Sequence, residues 1–296
     1  MILITGTSGF IGKHLLHALV QEYGPSNILA LTSRPVSECR YLLHNDYKFE
    51  KDYFDSAGYS DITTIIHAGA FTPKNHTQVN DWERCNKNIL NTDTLLKAWF
   101  KDLKNIVYLS TLDVYAQSDV ISEESVTVPA SLYGYSKLYC EKMILGWSES
   151  NNKKVQILRV GHVYGPGEEA YEKIIPSTMN KLLKGQPLKL FGEGKEIRAF
   201  IFIADLVKAI MQSLQLQKDE GLINLVSEQS VSIKELISLI IDISGCHPSV
   251  ETDNSFKKGR DFIFNNAKIK RLLLPQETPL KHGLLTEWEY MKKAYL

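Results

Sequence analysis

Residues 1–12 read MILITGTSGFIG, and this stretch decides the fold. Its first five residues predict a buried strand, and residues 11–23 carry apolar side chains at helical spacing. Glycines at positions 6, 9 and 12 allow a tight turn, a close approach of the backbone to a pyrophosphate and close packing of helix on strand. The helix N-terminus adds unpaired N–H groups and a partial positive charge. The stretch therefore predicts a phosphate-binding turn between strand and helix.

The rest of the first half alternates short apolar segments with helix-like ones. Strands are predicted over residues 27–32, 62–68, 105–110 and 155–160, and helices over 88–101 and 131–149. We expect Leu95, Leu96 and Trp99 on the inner face of the helix over 88–101. Strands that are apolar throughout are typical of a parallel sheet covered by helices on both faces. The pattern predicts an α/β fold with a Rossmann-type doubly wound parallel sheet.

The alternation loosens after the Gly-Pro-Gly at 165–167. Helices are still predicted over 174–184, 204–216 and 232–243, with strands over 200–203 and 223–226. From residue 244 onward the sequence is more polar and predicts irregular structure. We therefore expect a dinucleotide-binding domain over 1–165 and a smaller C-terminal α/β substrate lobe over 166–296. The segment near 200–226 is expected to return to the first domain.

Composition excludes several classes of protein. The 296 residues include 34 Lys+Arg and 34 Asp+Glu, so no basic surface for nucleic acid or anionic membrane is expected. The cysteines form no C-x-x-C pair, which argues against a zinc module or a disulfide scaffold and fits a reducing cytoplasm; they are Cys39, Cys85, Cys140 and Cys246. No apolar stretch is long enough for a membrane helix, and no basic segment precedes the first strand. We expect a cytoplasmic protein without a metal site.

The end of the second predicted strand bears on the choice of dinucleotide. An acid there would bind the ribose 2′-hydroxyl of NAD, whereas a basic residue accommodates the 2′-phosphate of NADP. The sequence has Thr32-Ser33-Arg34 at this point, without an acid. Arg34 offers a charged planar fork and Ser33 a hydroxyl, so NADP(H) is favoured and NAD(H) is the alternative. A solvated loop position for Arg34 is also open.

Tyr133 and Lys137 share one face of the helix over 131–149, because they lie four residues apart. A phenol has an ordinary pKa near 10 and exchanges protons poorly at neutral pH. A neighbouring ammonium stabilises the phenolate and lowers that pKa. Tyr133 can then give a proton to a carbonyl oxygen as hydride arrives, with Lys137 also binding the cofactor ribose. The pattern is common by itself, and the preceding glycine turn makes catalysis the favoured interpretation.

Together these motifs resemble the extended short-chain dehydrogenase/reductase family, in its branch of nucleotide-sugar epimerases, dehydratases and reductases. The resemblance covers nearly the whole chain. It rests on TGTSGFIG at 5–12, DY at 52–53, HAGA at 67–70, NILNT at 88–92, STLDVY at 110–115, YGYSK at 133–137, RVGHVYGPG at 159–167 and FGEGKEIRAFIFI at 191–203.

The resemblance, taken with the residues above, implies roles for specific positions. Thr111 is expected to bind and polarise the sugar oxygen that Tyr133 protonates, and Thr111, Tyr133 and Lys137 form the expected catalytic set. A Thr that only caps a strand end is the alternative for Thr111. The cofactor site is expected to comprise Gly6, Ser8, Gly9, Phe10, Ile11, Gly12, Ser33, Arg34, Asp52, Tyr53, Ala68, Gly69, Ala70, Asn88, Tyr133 and Lys137.

Departures from the family pattern narrow the reaction. Dehydratases of the family usually have T-D-E-V-Y where this chain has Thr111-Leu112-Asp113, and Leu112 cannot deliver a proton. Hydride chemistry without elimination remains, with the sugar C4 as its expected position. We therefore favour NADPH-dependent reduction of a nucleotide-activated 4-keto-6-deoxyhexose, with an NAD-dependent nucleotide-sugar 4-epimerase as the rival. A catalytically silent dinucleotide-binding protein is the third reading.

The resemblance also implies a nucleotide-diphosphate sugar as substrate and a homodimer formed through the helices over 88–101 and 133–149. Arg198 matches the family's phosphate-binding arginine, and a second cation is expected from residues 257–260. His162 stands where the family usually has Asn, and Ala199 and Ala204 replace acids that the family often has. The substrate-binding residues are thus expected to be Thr111, His162, Phe191, Arg198, Lys258 and Arg260.

Overall fold

The computed structural model describes residues 1–253, 255 and 259–295. The chain divides into two compact units. The first unit comprises Met1–Ala116, Val126–Val160 and Val207–Asn224. The second comprises Gln117–Ser125, Gly161–Leu206 and the described residues after 224.

The strands lie in three sheets. In chain order they are β1 Ile2–Thr5, β2 Ile28–Thr32, β3 Arg40–Leu43, β4 Thr64–His67, β5 Asn105–Thr111, β6 Lys154–Val160, β7 His162–Tyr164, β8 Leu188–Phe191, β9 Ile197–Phe202, β10 Leu222–Leu225, β11 Ser230–Ser232 and β12 Val250–Asp253. The seven-stranded sheet has the order β10-β6-β5-β4-β1-β2-β3, and β1 pairs in parallel with both β2 and β4. The order reverses between β1 and β4, which places the carboxyl ends of these strands at a topological switch point. The prediction of a doubly wound α/β fold is confirmed.

The helices follow the amphipathic patterns of the sequence. They are α1 Phe10–Tyr23, α2 Tyr53–Ser56, α3 Trp82–Lys97, α4 Leu132–Asn151, α5 Ile174–Leu183, α6 Ile203–Ser213, α7 Ile233–Ser244, α8 Ala267–Leu272 and α9 Leu280–Tyr295. Helix α1 buries Leu15, Leu16 and Leu19 and ends at Gly24, whose φ of 80° suits glycine. Helix α7 begins with a reciprocal capping box between Ser232 and Glu235.

The second unit has two small sheets and its own core. β9 pairs antiparallel with β11 and parallel with β7, while β8 pairs in parallel with β12. Its apolar core draws on α5, α7 and α9, through residues such as Met179, Ile240 and Leu284. The segment 259–262 is tied to β9, because Phe262 N donates to Ile197 O over 2.9 Å.

Two predictions about local structure are wrong, and one strand was not predicted. The helix predicted over 88–101 is α3 at Trp82–Lys97. It starts earlier because the Asp81 side chain accepts from Arg84 N and caps it. Trp99, predicted on its inner face, lies beyond its end and is exposed. The polar tail after residue 244 contains α8 and α9, the latter burying Leu280, Leu284, Trp288 and Met291 at helical spacing. Strand β3 was not predicted; it is a four-residue edge strand that leaves Tyr41 and Leu43 exposed and pairs with β2.

Among the described residues, no helix combines the length and the apolar character that crossing a bilayer requires.

Candidate active site

The turn at residues 5–12, here called the phosphate turn, is built for close approach of a ligand to its backbone. Gly6 has φ of 79°, and a Cβ added there would lie 2.7 Å from Gly69 Cα. A Cβ added at Gly12 would lie 2.0 Å from Gly6 O. Helix α1 follows with Gly9 as N-cap, no side-chain cap and no acid in its first turn. Its N-terminal N–H groups therefore fit the pyrophosphate of a dinucleotide.

A buried histidine at the end of β4 joins this turn to helix α3. His67 Nδ1 lies 2.9 Å from Thr5 Oγ1, and His67 Nε2 lies 3.0 Å from Thr92 Oγ1. Thr5 Oγ1 also accepts from Gly69 N over 2.8 Å. Burial, with a smaller effect of the Lys137 charge, lowers the pKa of His67 to about 3, so the imidazole is neutral at physiological pH. The predicted cofactor residues Ala68, Gly69 and Ala70 follow His67 directly.

Residues 32–34 form a compact turn at the end of β2. Thr32 Oγ1 donates to Arg34 O over 2.9 Å, and Ser33 Oγ lies 3.2 Å from Ser8 Oγ. The second contact brings two predicted cofactor residues together and joins this turn to the phosphate turn. Ser33 and Arg34 are exposed. Of the other predicted cofactor residues, Phe10 and Gly12 are buried in α1, and Ile11 is part-buried.

Asp52 and Tyr53 lie at the start of the short helix α2. Asp52 is exposed and its Oδ2 accepts from Ser56 Oγ over 3.1 Å. The Tyr53 ring stacks on Phe49 at a centroid distance of 5.0 Å. Both residues thus lie at the surface of the first unit or close to it, with the carboxylate of Asp52 accessible to a ligand.

Asn88 is buried, and its amide is engaged by the protein. Its Oδ1 accepts from Phe71 N over 2.7 Å, while its Nδ2 donates to Phe71 O and Ser136 Oγ, each over 3.2 Å. Ser136 Oγ in turn donates to Tyr133 O over 2.8 Å. Asn88 therefore ties the loop after β4 to the first turn of α4.

Tyr133 and Lys137 occupy the start of α4, whose first turn is capped by Ser131 through its contact with Gly134 N. Both side chains are buried, Lys137 to 2% exposure. Lys137 Nζ donates to Leu109 O over 2.7 Å and lies 4.2 Å from the centre of the Tyr108 ring. Burial lowers the pKa of Lys137 to about 8, which leaves the ammonium largely charged at pH 7.

Thr111 ends β5 in the same unit and is buried. Its Oγ1 donates to Asp113 Oδ2 and accepts from Asp113 N, both over 3.3 Å. Thr111 therefore caps the short helical turn Leu112–Val114. Both contacts are long, so they leave the hydroxyl able to turn toward a ligand oxygen.

Sequence reasoning missed a buried ion pair beneath these residues. Glu141 follows Lys137 by one helical turn, and Arg159 Nη2 donates to Glu141 Oε2 over 2.7 Å. The signal was the spacing Tyr133, Lys137, Glu141, which puts three polar side chains on one helix face.

The second unit brings three predicted substrate residues together around a phenylalanine; Arg198, Arg260, His162 and Phe262 are here called the arginine cluster. The Arg198 and Arg260 guanidinium carbons lie 5.0 and 4.4 Å from the centre of the Phe262 ring. Arg198 Nη1 also donates to Arg260 O. The His162 ring packs edge-on against Phe262 at 5.2 Å. Phe262 was missed, because it lies in the tail where the sequence predicted irregular structure.

His162 is a neutral group in this cluster. Burial, reinforced by the charges of Arg198 and Lys173, lowers its pKa to about 3. Its Nδ1 is buried without a hydrogen-bond partner. Phe191, by contrast, is exposed at the end of β8, with Lys189 Nζ 5.4 Å from its ring centre. The predicted contact Lys258 lies outside the described residues.

Comparison with known proteins adds an independent finding. The model of the NAD dependent epimerase/dehydratase family matches residues 2–225. The dTDP-4-dehydro-6-deoxyglucose reductase of Escherichia coli is 28% identical over 81% of this chain and 80% of its own length. A trifunctional UDP-glucose 4,6-dehydratase/UDP-4-keto-6-deoxy-D-glucose 3,5-epimerase/UDP-4-keto-L-rhamnose-reductase of Arabidopsis thaliana is 25% identical over 98% of this chain, which spans 47% of that protein.

A solved structure is similar over the full chain. The UDP-glucuronic acid 4-epimerase of Bacillus cereus, in complex with UDP-glucuronic acid and NAD, has a TM-score of 0.87 and 25% identity. The match covers 99% of both chains.

Proposed function

Because the chain belongs to the NAD dependent epimerase/dehydratase family, we propose that it is an NADPH-dependent reductase of a nucleotide-activated 4-keto-6-deoxyhexose. The family resemblance predicted from the motifs is confirmed by this membership, and so is the prediction of a dinucleotide-dependent enzyme. The observation that carries the choice of reductase is the end of β2, where Ser33 and Arg34 stand without an acid.

The contacts of this turn support NADP. The hydroxyl of Thr32 closes the turn on Arg34 O, and Ser33 reaches Ser8 of the phosphate turn, so the backbone after β2 is held in place. An acid would select the ribose 2′-hydroxyl at this point, whereas the exposed guanidinium of Arg34 suits a 2′-phosphate. Hydroxyls from Ser8 and Ser33 would add hydrogen bonds to the same group.

The residues of α4 and β5 supply the proton chemistry. When bound, the dinucleotide supplies the hydride that reduces the keto carbon. Tyr133 gives its phenolic proton to the keto oxygen, and Thr111 donates a hydrogen bond to the same oxygen. The buried ammonium of Lys137 stabilises the phenolate that remains.

The arginine cluster supports a diphosphate-linked substrate. Arg198 and Arg260 stay charged at neutral pH, and their contacts with Phe262 hold two guanidinium groups at fixed positions in the second unit. We assign dinucleotide binding to the first unit and the diphosphate of the sugar nucleotide to the second. The name of the related Escherichia coli protein, a dTDP-4-dehydro-6-deoxyglucose reductase, agrees with this substrate class.

A nucleotide-sugar 4-epimerase is the second candidate. It is favoured by the full-length similarity to the Bacillus cereus 4-epimerase, which was solved with NAD. An epimerase removes and returns the hydride, so it retains its dinucleotide through each turnover, whereas a reductase releases NADP⁺.

Two measurements separate these candidates. The purified protein is denatured and any released dinucleotide is identified; the reductase proposal expects no tightly held NAD⁺. NADPH oxidation is then followed at 340 nm with a panel of 4-keto-6-deoxy sugar nucleotides. Turnover with NADPH supports the proposal. Stoichiometric NAD⁺ together with interconversion of UDP-sugar epimers, and no NADPH oxidation, would overturn it in favour of the epimerase.

Exposed apolar side chains support the proposed homodimer. Leu132, Tyr135 and Tyr139 lie on one face of α4, and Trp82 and Leu90 lie on one face of α3, which packs against α4. Several large exposed apolar side chains on two packed helices are typical of an interface. Light scattering on the wild type is expected to give twice the chain mass, and Tyr135→Glu with Tyr139→Glu a monomer. A monomeric wild type at micromolar concentration contradicts the proposal.

The cytoplasmic location also stays a prediction; the four cysteines are free thiols.

A further inference from the structure

Helix α4 carries a third buried polar residue on the face of Tyr133 and Lys137. Glu141 is 1% exposed. Its Oε1 accepts from Ser110 Oγ over 2.5 Å and from Arg159 Nε over 2.9 Å, and its Oε2 accepts from Arg159 Nη2 over 2.7 Å. The carboxylate is therefore held by two neighbouring strands, β5 through Ser110 and β6 through Arg159.

The cation of this pair is itself fixed. The Arg159 guanidinium lies 4.5 Å from the centre of the Tyr115 ring, and Tyr115 OH donates to Asn224 Oδ1 over 2.7 Å. Arg159 thus connects α4 to the residues that follow β5 and to β10. Ser110, which donates to Glu141, directly precedes Thr111. The ion pair consequently joins the helix of Tyr133 and Lys137 to the strand end of Thr111.

The electrostatic surroundings of Lys137 indicate a second role for Glu141, which is to stabilise the ammonium. The titratable groups around Lys137 are Tyr108 on β5, His67 on β4, and Tyr133, Cys140 and Glu141 on α4. His67 is neutral at physiological pH, and burial disfavours a charged Tyr108. Negative charge on Cys140, and then on Glu141, raises the pKa of Lys137, and Glu141 is the carboxylate of these two. A buried ion pair seldom stabilises a fold more than an apolar pair of equal volume does, so stability alone does not account for it.

We propose that Glu141 is a positioning residue that keeps the Lys137 ammonium charged and holds it at a fixed position relative to Thr111. The proposal deepens the proposed function and rests on it for the step that Tyr133 and Lys137 carry out. It predicts that removing the charge of Glu141 makes Lys137 lose its proton at lower pH. Binding of the dinucleotide ribose and support of the Tyr133 phenolate would then both fail at lower pH.

The test compares Glu141→Gln with Glu149→Gln, a matched substitution at an exposed position of the same helix. The dissociation constants of NADPH and NADH and the kcat/KM for sugar reduction are measured from pH 6 to 10. In the wild type, affinity and kcat/KM are expected to fall as pH rises through about 8, the pKa of Lys137. In Glu141→Gln the midpoint is expected about one pH unit lower. Glu149→Gln is expected to follow the wild type.

Stability is controlled separately, because Glu141→Gln leaves Arg159 buried beside a neutral amide. The double variant Glu141→Gln with Arg159→Gln removes both charges. Because loss of the nearby Arg159 cation favours the Lys137 ammonium, its midpoint is expected between those of Glu141→Gln and the wild type. Should neither fold by circular dichroism, Glu141→Asp is used; it moves the charge by one methylene and is expected to lower the midpoint by a smaller amount. The proposal is overturned if a folded Glu141→Gln or Glu141→Asp variant has the wild-type midpoint. It is also overturned if the affinity and kcat/KM of the wild type do not fall at high pH.

The two proposals fail in different ways. If the wild type binds a dinucleotide but converts no sugar, the proposed function is wrong. The pH dependence of dinucleotide affinity still tests the role of Glu141. A wild type that reduces sugar with an unchanged midpoint in Glu141→Gln removes only the inference about Glu141.

Discussion

The phosphate turn of the first unit and the arginine cluster of the second are suited to phosphate by opposite means. The turn uses backbone: Gly6 and Gly12 leave no room for a Cβ, and α1 begins without a side-chain cap. The cluster uses side chains: Arg198 and Arg260 lie against Phe262 with their guanidinium groups fixed. The first should tolerate charge substitutions but no added methyl group, and the second the reverse.

The two regions also differ in how far apart their parts lie along the chain. The phosphate turn is eight consecutive residues, whereas the cluster joins residues 162, 198, 260 and 262. The first is closed by a contact between near neighbours, since Gly9 N donates to Gly6 O over 3.0 Å. The second forms only when β9 has paired with β7 and the segment 259–262 has bonded to β9.

The largest effect is expected from α4, which carries the proposed proton donor Tyr133 in the same unit as the phosphate turn. Tyr133→Phe removes the proton donor and should lower kcat about 1000-fold, the usual size of a general-acid contribution. The dissociation constant of NADPH should change little, because Lys137 and the turn remain. Stopped-flow kinetics and fluorescence titration measure the two quantities, with Tyr135→Phe, an exposed tyrosine of the same helix, as control. Near-normal turnover would contradict the catalytic assignment.

The backbone character of the turn is tested by one methyl group. Gly12→Ala places a Cβ 2.0 Å from Gly6 O, so the turn must open, and dinucleotide affinity should fall about 100-fold. Gly146→Ala is the matched control, because a Cβ there meets nothing within 4 Å and alanine favours helix. Calorimetric titration with NADPH measures both. Equal affinities in the two variants would show that the backbone of the turn is not the binding element.

The charge of the cluster is tested at Arg198. Arg198→Met keeps much of the packing on Phe262 and removes the cation, so the KM for the sugar nucleotide should rise about 10- to 100-fold. NADPH affinity should stay constant, since Arg198 belongs to the second unit. Arg271→Met, at an exposed position of that unit, is the control. A rise in the NADPH dissociation constant alone would mean that the two regions have been assigned to the wrong ligands.

The smallest effect concerns the neutral imidazole in the cluster. His162 has its pKa lowered to about 3 by burial and nearby cations, whereas in the unfolded chain it is about 6.5. The unfolded state therefore binds more protons between these values, and stability falls as pH is lowered. Between pH 7.5 and 5 the wild-type Tm should drop about 2–4 °C more than that of His162→Asn, a difference of about 2 kcal/mol. His67 contributes equally to both proteins, and parallel Tm curves would refute a neutral His162.

Elements with strong local signals were predictable, and those that depend on distant partners were not. The strands β1, β2 and β4 to β6 were expected near their observed positions because each is rich in apolar residues and largely buried. Helix α9 was missed, since its buried positions Leu280, Leu284 and Trp288 are separated by polar residues in a charged segment. The edge strand β3 has only four residues and leaves Tyr41 and Leu43 exposed, so its local signal is weak; pairing with β2 decides it.

The candidate site divides in the same way. Gly6, Gly12, Tyr133 and Lys137 were recognised from spacing alone, because a turn and one helix face relate residues a few positions apart. Phe262 was not, and neither was the pairing of Glu141 with Arg159. These contacts join residues from different elements, so no spacing in the sequence encodes them.

The amino-acid sequence by itself determined the doubly wound sheet, the phosphate turn and the face of α4 that carries Tyr133 and Lys137. These follow from local chain geometry and from apolar periodicity, which act over a few residues. Only the tertiary structure decided that Arg198 and Arg260 share one aromatic ring, that His162 is neutral, and that Glu141 is locked between two strands. Burial and charge are properties of the neighbours that folding brings together, and the local sequence does not specify those neighbours.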